Sequence, residues 1–179
     1  MKSKKEMGDS AEKFVCSNIT SCPRCKRGKL RRLPPNFPCA DIICCFCGYL
    51  AQVKAHTVTD WENVSLVKLP GATWEVQKER VQAGIYFPIY VVLYLKDRPV
   101  EILYLSVDHQ VPRMFRPRRK PQHGAQRFDY RFDWETKRFF VQVYERSPME
   151  DERGRIRLAE VSEASFTQLP EKKRWTTPR

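Results

Sequence analysis

Two Cys-x-x-Cys pairs constrain this chain more than any other feature of its sequence. Cys22-Pro-Arg-Cys25 and Cys44-Cys-Phe-Cys47 are separated by eighteen residues, which is the spacing of a four-cysteine zinc ribbon. Each pair presents two thiolates from one tight turn, and two such turns complete the tetrahedron that Zn²⁺ prefers. Because four sulfur ligands leave no position for water, we expect a structural zinc ion that does no chemistry.

The other three cysteines leave alternatives open. Cys45 lies inside the second pair and Cys39 shortly before it, so either could in principle replace a ligand. Only the set named above, however, gives two pairs with two-residue gaps. Cys16 fits a buried position of a helix. The simpler alternative to zinc is a group of buried free cysteines.

The charge of the chain favours nucleic acid as a partner. Thirty-three Lys and Arg against 21 Asp and Glu give a net charge of +12, and a field of that sign attracts polyanions. The longest apolar run, Ile85 to Leu95, is too short for a membrane span and contains Pro88. Charged residues stand where a signal peptide needs an apolar block, so we expect a cytoplasmic protein. In that reducing compartment seven cysteines favour a metal over disulfides.

The local patterns predict an α/β (α+β) domain around one mixed sheet. The sequence favours a helix over residues 9–18 that is capped by Asp9 or Ser10, and a second helix from Gly71 to Ala83 that ends at Gly84. The predicted extended segments are the ribbon and the run after it to residue 55, Tyr86–Leu95, Val100–Asp108, and a hairpin of Arg127–Phe132 with Arg138–Glu145.

Polar residues on both sides of the second cysteine pair form the candidate catalytic site. Asp41 stands three residues before Cys44. Gln52-Val-Lys54 follows the tight turn of this second cysteine pair, called the knuckle below, in a strand-like run. Gln52 and Lys54 are two residues apart, so both project from one face of their strand. The zinc knuckle is predicted to act as the turn that brings Asp41 beside that face.

Hydrolysis of a phosphodiester requires this combination of groups. Mg²⁺ takes oxygen ligands, which the Asp41 carboxylate, the Gln52 amide and the Val53 carbonyl would supply. Lys54 can lower the pKa of the attacking water or stabilise the pentavalent phosphate. Taken singly, Asp41 fits a turn acid and Lys54 a surface lysine.

The run from Asn36 to Cys47 followed by Gln52-Val-Lys54 resembles the catalytic domain of the methyladenine-dependent restriction endonucleases of the Dam-replacing family, within the PD-(D/E)xK superfamily. The resemblance covers roughly residues 10–145 and is most specific between 22 and 54. It implies a restriction-endonuclease-like mixed sheet flanked by helices, with the zinc ribbon inserted at the active-site hairpin. It also implies a type II/IV-like restriction endodeoxyribonuclease that uses Mg²⁺.

This sequence departs from the family pattern in three ways. Gln52 stands where the pattern has an acid, although Gln-x-Lys occurs in Mrr-type restriction enzymes, and Ala40 stands where the pattern has proline. The resemblance also implies a C-terminal winged helix, for which the remaining residues are too few. We therefore predict a nuclease domain over 1–145 with its zinc ribbon at 20–48, and a charged extension over 146–179 that contains at most one short element, packed through Phe166 and Trp175.

Further site residues carry open alternatives. Glu12 matches the position of an accessory metal-site acid in such nucleases, or is a solvated glutamate favoured by the helix dipole. His56 either assists a water or is a polar side chain at a strand end. An aromatic pocket for N6-methyladenine would draw on Trp61, Trp74 or Trp134, which the sequence does not rank.

Two basic segments are candidates for contact with double-stranded DNA, or are solvated loops. The first is the ribbon, with Lys26, Arg27, Lys29, Arg31 and Arg32. The second is a proline-rich loop whose predicted DNA-binding residues are Arg113, Phe115, Arg116, Arg118, Arg119 and Lys120. The alternative functions are a zinc-ribbon nucleic-acid-binding protein with a decayed nuclease site and a zinc module that scaffolds protein partners. Monomer and transient dimer both remain open.

Overall fold

The computed structural model describes residues 3–59, 69–73, 75–110, 114–117, 126–130 and 141–145. The elements in chain order are α1 (Lys4–Asn18), β1 (Leu30–Arg32), β2 (Ile42–Cys44), β3 (Leu50–Val58), β4 (Leu69–Thr73), α2 (Glu75–Gln82), β5 (Ile89–Leu95), β6 (Arg98–Leu105), a 3₁₀ turn (Val107–His109), β7 (Phe115–Pro117), β8 (Gln126–Tyr130) and β9 (Val141–Glu145). No helix in these ranges is long and apolar enough to cross a bilayer.

Six strands form one mixed sheet in the order β1-β2-β3-β5-β6-β9. β3 and β5 run parallel, and the other neighbours in this sheet are antiparallel. β4, β8 and β7 form a second, three-stranded antiparallel sheet. The predicted mixture of α and β structure around a mixed sheet is therefore confirmed, and a second small sheet accompanies it.

The two faces of β3 meet different surroundings. Ala51 and Val53 pack with Ala11 and Val15 of α1 in a buried apolar cluster. Gln52 and Lys54 lie opposite Ile89 and Val91 of β5, and those two residues belong to a second cluster on the other face. Gln52 and Lys54 therefore share a face, as the two-residue spacing predicts, and this face is turned away from α1.

Helix α1 begins earlier than predicted. Ser3 caps it, accepting a hydrogen bond from the Glu6 N–H at 3.2 Å, while Glu6 Oε2 accepts one from the Ser3 N–H at 2.7 Å. This reciprocal capping box satisfies two N-terminal donors, so the predicted start at Asp9 or Ser10 is wrong. Gly8, which makes an early start look unfavourable, is tolerated inside the helix.

Helix α2 begins later than predicted. Gly71–Thr73 belong to β4, which pairs with β8, so the helix covers only Glu75–Gln82. Its end is as expected: Gly84 has φ +74°, and the Ile85 N–H donates to the Arg80 carbonyl at 2.8 Å. That bond and the one from Gly84 to Val81 form the motif that glycine favours after a helix.

The predicted C-terminal hairpin is wrong. β8 pairs with β4 and β7, whereas β9 pairs with β6 in the larger sheet. Alternating apolar residues identify strands but do not specify their partners, which tertiary packing selects. The extension over 146–179 with Phe166 and Trp175 lies outside the described residues, as do the candidates Trp61, Trp74 and Trp134.

Candidate metal centre and active site

The sulfur atoms of Cys22, Cys25, Cys44 and Cys47 all lie within 4.8 Å of one another. The Sγ–Sγ distance is 3.7 Å for the pair from residues 22 and 47 and again 3.7 Å for the pair from residues 25 and 44. A tetrahedron with Zn–S bonds of about 2.3 Å has an edge of about 3.8 Å. The four thiols therefore fit Zn²⁺, and Cys16, Cys39 and Cys45 lie outside the cluster.

Backbone amides of the knuckles point at these sulfurs. The Gly28 N–H donates to Cys25 Sγ and the Phe46 N–H to Cys44 Sγ, both at 3.4 Å. Donors from Gly28 and Arg27 lower the pKa of the Cys25 thiol to about 6, whereas burial raises the pKa of Cys22 to about 12. Hydrogen bonds to sulfur favour the thiolate that a metal requires, so the fold prepares part of the ligand set in advance.

Gly28 is the tightest point of the knuckles. A Cβ at this position would lie 2.3 Å from Cys44 Sγ and 2.7 Å from Phe46 Cβ. Its carbonyl also accepts a hydrogen bond from the Cys22 N–H at 2.8 Å. Any other side chain here would push the two cysteine pairs apart. Sequence reasoning missed this residue, although a glycine three positions after a Cys-x-x-Cys pair is a readable signal.

Asp41 and Gln52 both lie at the opposite end of the β2–β3 hairpin from the knuckle. The Val53 N–H donates to Asp41 Oδ2 at 2.7 Å, and Gln52 Nε2 donates to the Cys39 carbonyl at 3.0 Å. The pairing of β2 with β3 ends at Ile42 and Ala51, with one more bond from the Asp41 N–H to the Ala51 carbonyl at 3.0 Å. Two side chains thus satisfy backbone groups where the strands part.

Cys39 adopts an unusual backbone conformation beside this network. Its φ is +72° and its side chain is buried, in a region that non-glycine residues enter at a cost of about 1–3 kcal/mol. The conformation accompanies the hydrogen bond between the Cys39 carbonyl and the Gln52 amide. Strain of this kind concentrates at functional sites, and it has no sequence signal, because cysteine does not favour positive φ.

Glu12 lies on the α1 side of the sheet and is held by Arg32. Arg32 Nε donates to Glu12 Oε2 at 2.8 Å, and Arg32 Nη2 contacts Asp9 Oδ1 at 3.0 Å. Burial raises the pKa of Glu12, Arg32 lowers it, and the negative charge of Asp41 raises it further. The charge of Asp41 therefore reaches Glu12. Arg32, which the sequence places in a candidate DNA-binding segment, forms an intramolecular ion pair instead.

Lys54 and His56 are half-buried on the same face of β3 as Gln52. Gln52 itself is 5% exposed. The amide nitrogen of Gln52 is engaged by Cys39, so the amide oxygen is the atom with which this side chain would bind a cation. The catalytic roles of Asp41, Gln52, Lys54 and Glu12 stay predictions, as does the role of His56.

Only part of the predicted DNA-binding loop lies among the described residues. Phe115 stacks on Tyr86 with ring centroids 5.2 Å apart and packs against the second apolar cluster. Arg116 lies in β7. The other predicted contacts, Arg113, Arg118, Arg119 and Lys120, fall outside the described ranges. The packing on Tyr86 gives Phe115 a structural role, and its contact with DNA stays a prediction.

Neither a scan against protein-family models nor a search of curated proteins found a match to this chain.

Proposed function

We propose that this chain is a Mg²⁺-dependent endonuclease of double-stranded DNA, of the restriction type and with a Gln-x-Lys site. The observation that carries the proposal is the 2.7 Å hydrogen bond from the Val53 N–H to Asp41 Oδ2. It holds the Asp41 carboxylate beside the residue that separates Gln52 from Lys54. A carboxylate, an amide and an ammonium group would thus converge near the point where β2 and β3 part.

The oxygen atoms in this region suit a hard cation. Backbone N–H and C=O groups of one strand residue point to the same side, so the Val53 carbonyl is turned toward β2, as its N–H is. Asp41, Gln52 and Val53 would hold Mg²⁺, which when bound supplies Lewis-acid activation of a phosphodiester. The negative charge of Asp41 disfavours the ionised form of Glu12, and a cation bound near both carboxylates would relieve this repulsion.

The remaining groups have separate tasks in this proposal. Lys54 stabilises the charge that develops on the phosphate, because its ammonium group extends from the same strand face as Gln52. Arg32 holds Glu12 on the α1 side of the sheet through the ion pair at 2.8 Å, so Glu12 would act on the bound cation through its charge and not as a ligand. The zinc centre holds the hairpin and takes no part in the chemistry, because its four thiolates leave no open position.

The test is cleavage of supercoiled plasmid DNA, prepared in adenine-methylated and unmethylated form, with and without added Mg²⁺. We expect cleavage that requires Mg²⁺ and disappears in Asp41→Asn and in Lys54→Ala. Lys13→Ala, which removes an exposed lysine of α1, is the matched control. Methylation dependence would appear as cleavage of one plasmid preparation alone. Undiminished cleavage by both site variants, or none by the folded wild-type protein, would contradict the proposal.

A specific observation favours a second candidate function, a zinc-ribbon nucleic-acid-binding protein without nuclease activity. Gln52 stands where the superfamily pattern has an acid, and its amide nitrogen satisfies the Cys39 carbonyl, which is a purely structural use of the side chain. Salt-sensitive binding of DNA with no cleavage in Mg²⁺ or Mn²⁺ would support this alternative.

A further inference from the structure

The outer face of the first three strands continues the candidate site toward the zinc knuckle. Arg31 lies opposite Ile43, and Ile43 lies opposite Leu50. Residues directly opposite each other in neighbouring strands share a face of the sheet. Leu50 is two residues before Gln52 and four before Lys54, so all of these side chains are turned to the same side.

The exposure of the two sides differs sharply. On the inner side, Ile42 and Ala51 are 0% exposed against the α1 layer. On the outer side, Ile43 and Leu50 are half-buried and Arg31 is exposed. This side is therefore accessible from Leu50 outward to the edge strand β1, whereas Gln52 itself is 5% exposed.

Lys29 and Phe46 extend this surface to the rim of the knuckle. The Cys45 N–H donates to the Lys29 carbonyl at 3.1 Å, which continues the β1–β2 pairing by one step. Lys29 stands two residues before Arg31 and is exposed like it. Phe46 is 64% exposed, and its N–H is fixed on Cys44 Sγ. A large apolar ring is thus exposed in the knuckle directly after Cys45, the residue that pairs with Lys29.

The positive charge of this region exceeds the negative charge of a zinc–thiolate centre. Residues 20–59 contain seven Lys and Arg but a single acid, Asp41. One Zn²⁺ with four thiolates carries a net charge of about −2, and Arg32 is already paired with Asp9 and Glu12. The exposed cationic side chains near the knuckle include Arg24, Arg27, Lys29 and Arg31. Four positive charges against two negative ones leave an excess that suits a polyanion.

We infer that the outer ribbon face, formed by Lys29, Arg31, Ile43, Phe46 and Leu50, binds the sugar–phosphate backbone of duplex DNA next to the cleavage site. The inference rests on the proposed function, which places the scissile phosphate at Gln52 and Lys54. From Lys54 to Leu50 the strand spans about 13 Å, or roughly four base pairs of duplex. Lys29 and Arg31 contact phosphates, and Phe46 contacts sugar or base edges at the far end.

The experiment measures binding separately from cleavage. Fluorescence anisotropy of a labelled duplex is recorded with the full chain in buffer without divalent cations, over a series of salt concentrations. For the double variant Lys29→Ala/Arg31→Ala we expect about tenfold weaker binding and a salt slope smaller in magnitude by about 2, because each lost phosphate contact removes about 0.9. Phe46→Ala should weaken binding about threefold without changing the slope.

Two controls keep the result interpretable. Lys4→Ala/Lys13→Ala removes two exposed lysines from α1, which covers the opposite face, and should leave affinity and slope nearly unchanged. Zinc content and thermal unfolding of every variant show that the knuckle is intact. Equal binding by the Lys29/Arg31 variant and wild type, or equal losses in both double variants, would overturn the inference.

The binding and cleavage results separate the two proposals. If the wild type binds through Lys29 and Arg31 but never cleaves, the binding surface stands and the nuclease proposal fails. If the wild type cleaves with Mg²⁺ and the Lys29/Arg31 variant binds and cleaves equally well, the nuclease proposal stands and this surface fails. Absence of any DNA binding by the folded wild-type chain overturns the inference.

Discussion

The two ends of the β2–β3 hairpin are built on opposite principles. At the knuckle, four thiols lie at metal-ligand spacing, and backbone amides donate to their sulfurs. At the other end, Asp41 and Gln52 form hydrogen bonds with the Val53 N–H and the Cys39 carbonyl, which have no partner in the β2–β3 ladder where the two strands part. The cysteines at the knuckle serve only to bind the metal. Asp41 and Gln52 at the other end each stabilise the fold and also take part in the proposed chemistry. The two ends should therefore respond differently to substitution.

The largest expected effect is at the knuckle. Cys44→Ser should abolish zinc binding and stable folding together, because structural Zn²⁺ contributes about 10–16 kcal/mol of apparent binding free energy in small zinc domains. Cys45→Ser is the matched control, since Cys45 is exposed and outside the cluster. Zinc content and circular dichroism are the measurements. A well-folded, zinc-free Cys44→Ser protein would show that the thiols do not stabilise the hairpin through a metal.

The second effect separates the two duties of Asp41. Asp41→Asn keeps an oxygen acceptor for the Val53 N–H and should fold nearly as wild type, yet lose on the order of 100-fold in cleavage rate if the carboxylate binds Mg²⁺. Asp41→Ala should also lose about 1–3 kcal/mol of unfolding free energy, because a partly buried donor is left without its partner. Denaturant unfolding and plasmid cleavage are measured on both. Equal stability of the two variants would show that the hydrogen bond from the Val53 N–H to Asp41 does not stabilise the fold.

The third effect compares two glycines. Gly28→Ala should lower the unfolding free energy by about 1–3 kcal/mol and weaken zinc retention, because the new Cβ would lie 2.3 Å from Cys44 Sγ. Gly8→Ala is the control: Gly8 is inside α1 with nothing within 4 Å of the added Cβ, so this change should stabilise by about 0.5–1 kcal/mol. Thermal unfolding and competition with a zinc chelator test both. Similar behaviour of the two variants would contradict the packing argument.

The fourth effect concerns the missing acid. Gln52→Glu supplies a second carboxylate to the proposed Mg²⁺ site, and we expect cleavage to increase about tenfold. It should also cost about 1–3 kcal/mol of stability in the absence of Mg²⁺, because an ionised glutamate cannot donate to the Cys39 carbonyl. Denaturant unfolding with and without Mg²⁺ measures how much of the lost stability the cation restores. If Mg²⁺ fails to restore any stability to the variant, position 52 is not a ligand.

The smallest effect is a pH dependence at Glu12. Burial, the largest influence, raises the pKa of Glu12 above its ordinary value of 4.5. As pH rises through 4.5 the unfolded chain ionises first, so the folded wild type loses stability relative to Glu12→Gln until pH exceeds the folded-state pKa. The difference in unfolding free energy between the two proteins should therefore change in that direction as the pH rises above 4.5. A difference that does not change with pH would contradict the raised pKa.

The sequence predicted the knuckle much better than the rest of the hairpin. Metal ligation needs fixed residue types at fixed spacing, so Cys22, Cys25, Cys44 and Cys47 were identifiable from the chain alone. The shared face of Gln52 and Lys54 followed from the two-residue period of a strand. The commitment of Arg32 to Glu12 did not follow, because an ion pair between residues twenty positions apart depends on how α1 packs on the sheet.

Element boundaries and strand partners were less predictable for related reasons. Ser3 and Asp9 are equally suitable caps by residue type, and the reciprocal bond with Glu6 decided between them. Gly71–Thr73 fits the approach to a helix as well as a strand until its pairing with β8 is known. The strained Cys39 conformation lies beyond sequence reasoning, since its cause is the hydrogen-bond network around it.

The shortness of β2 has a consequence for how the hairpin is aligned. A strand of three residues supplies too few pairings to fix its own register against β3, which β5 holds in place. A slip of β2 by one residue would turn Ile43 inward and Ile42 outward. The sulfur ligands at the turn permit a single alignment. Folding in the presence of zinc would then select the native register, because chains that fold without the ion would pair β2 with β3 in other registers as well.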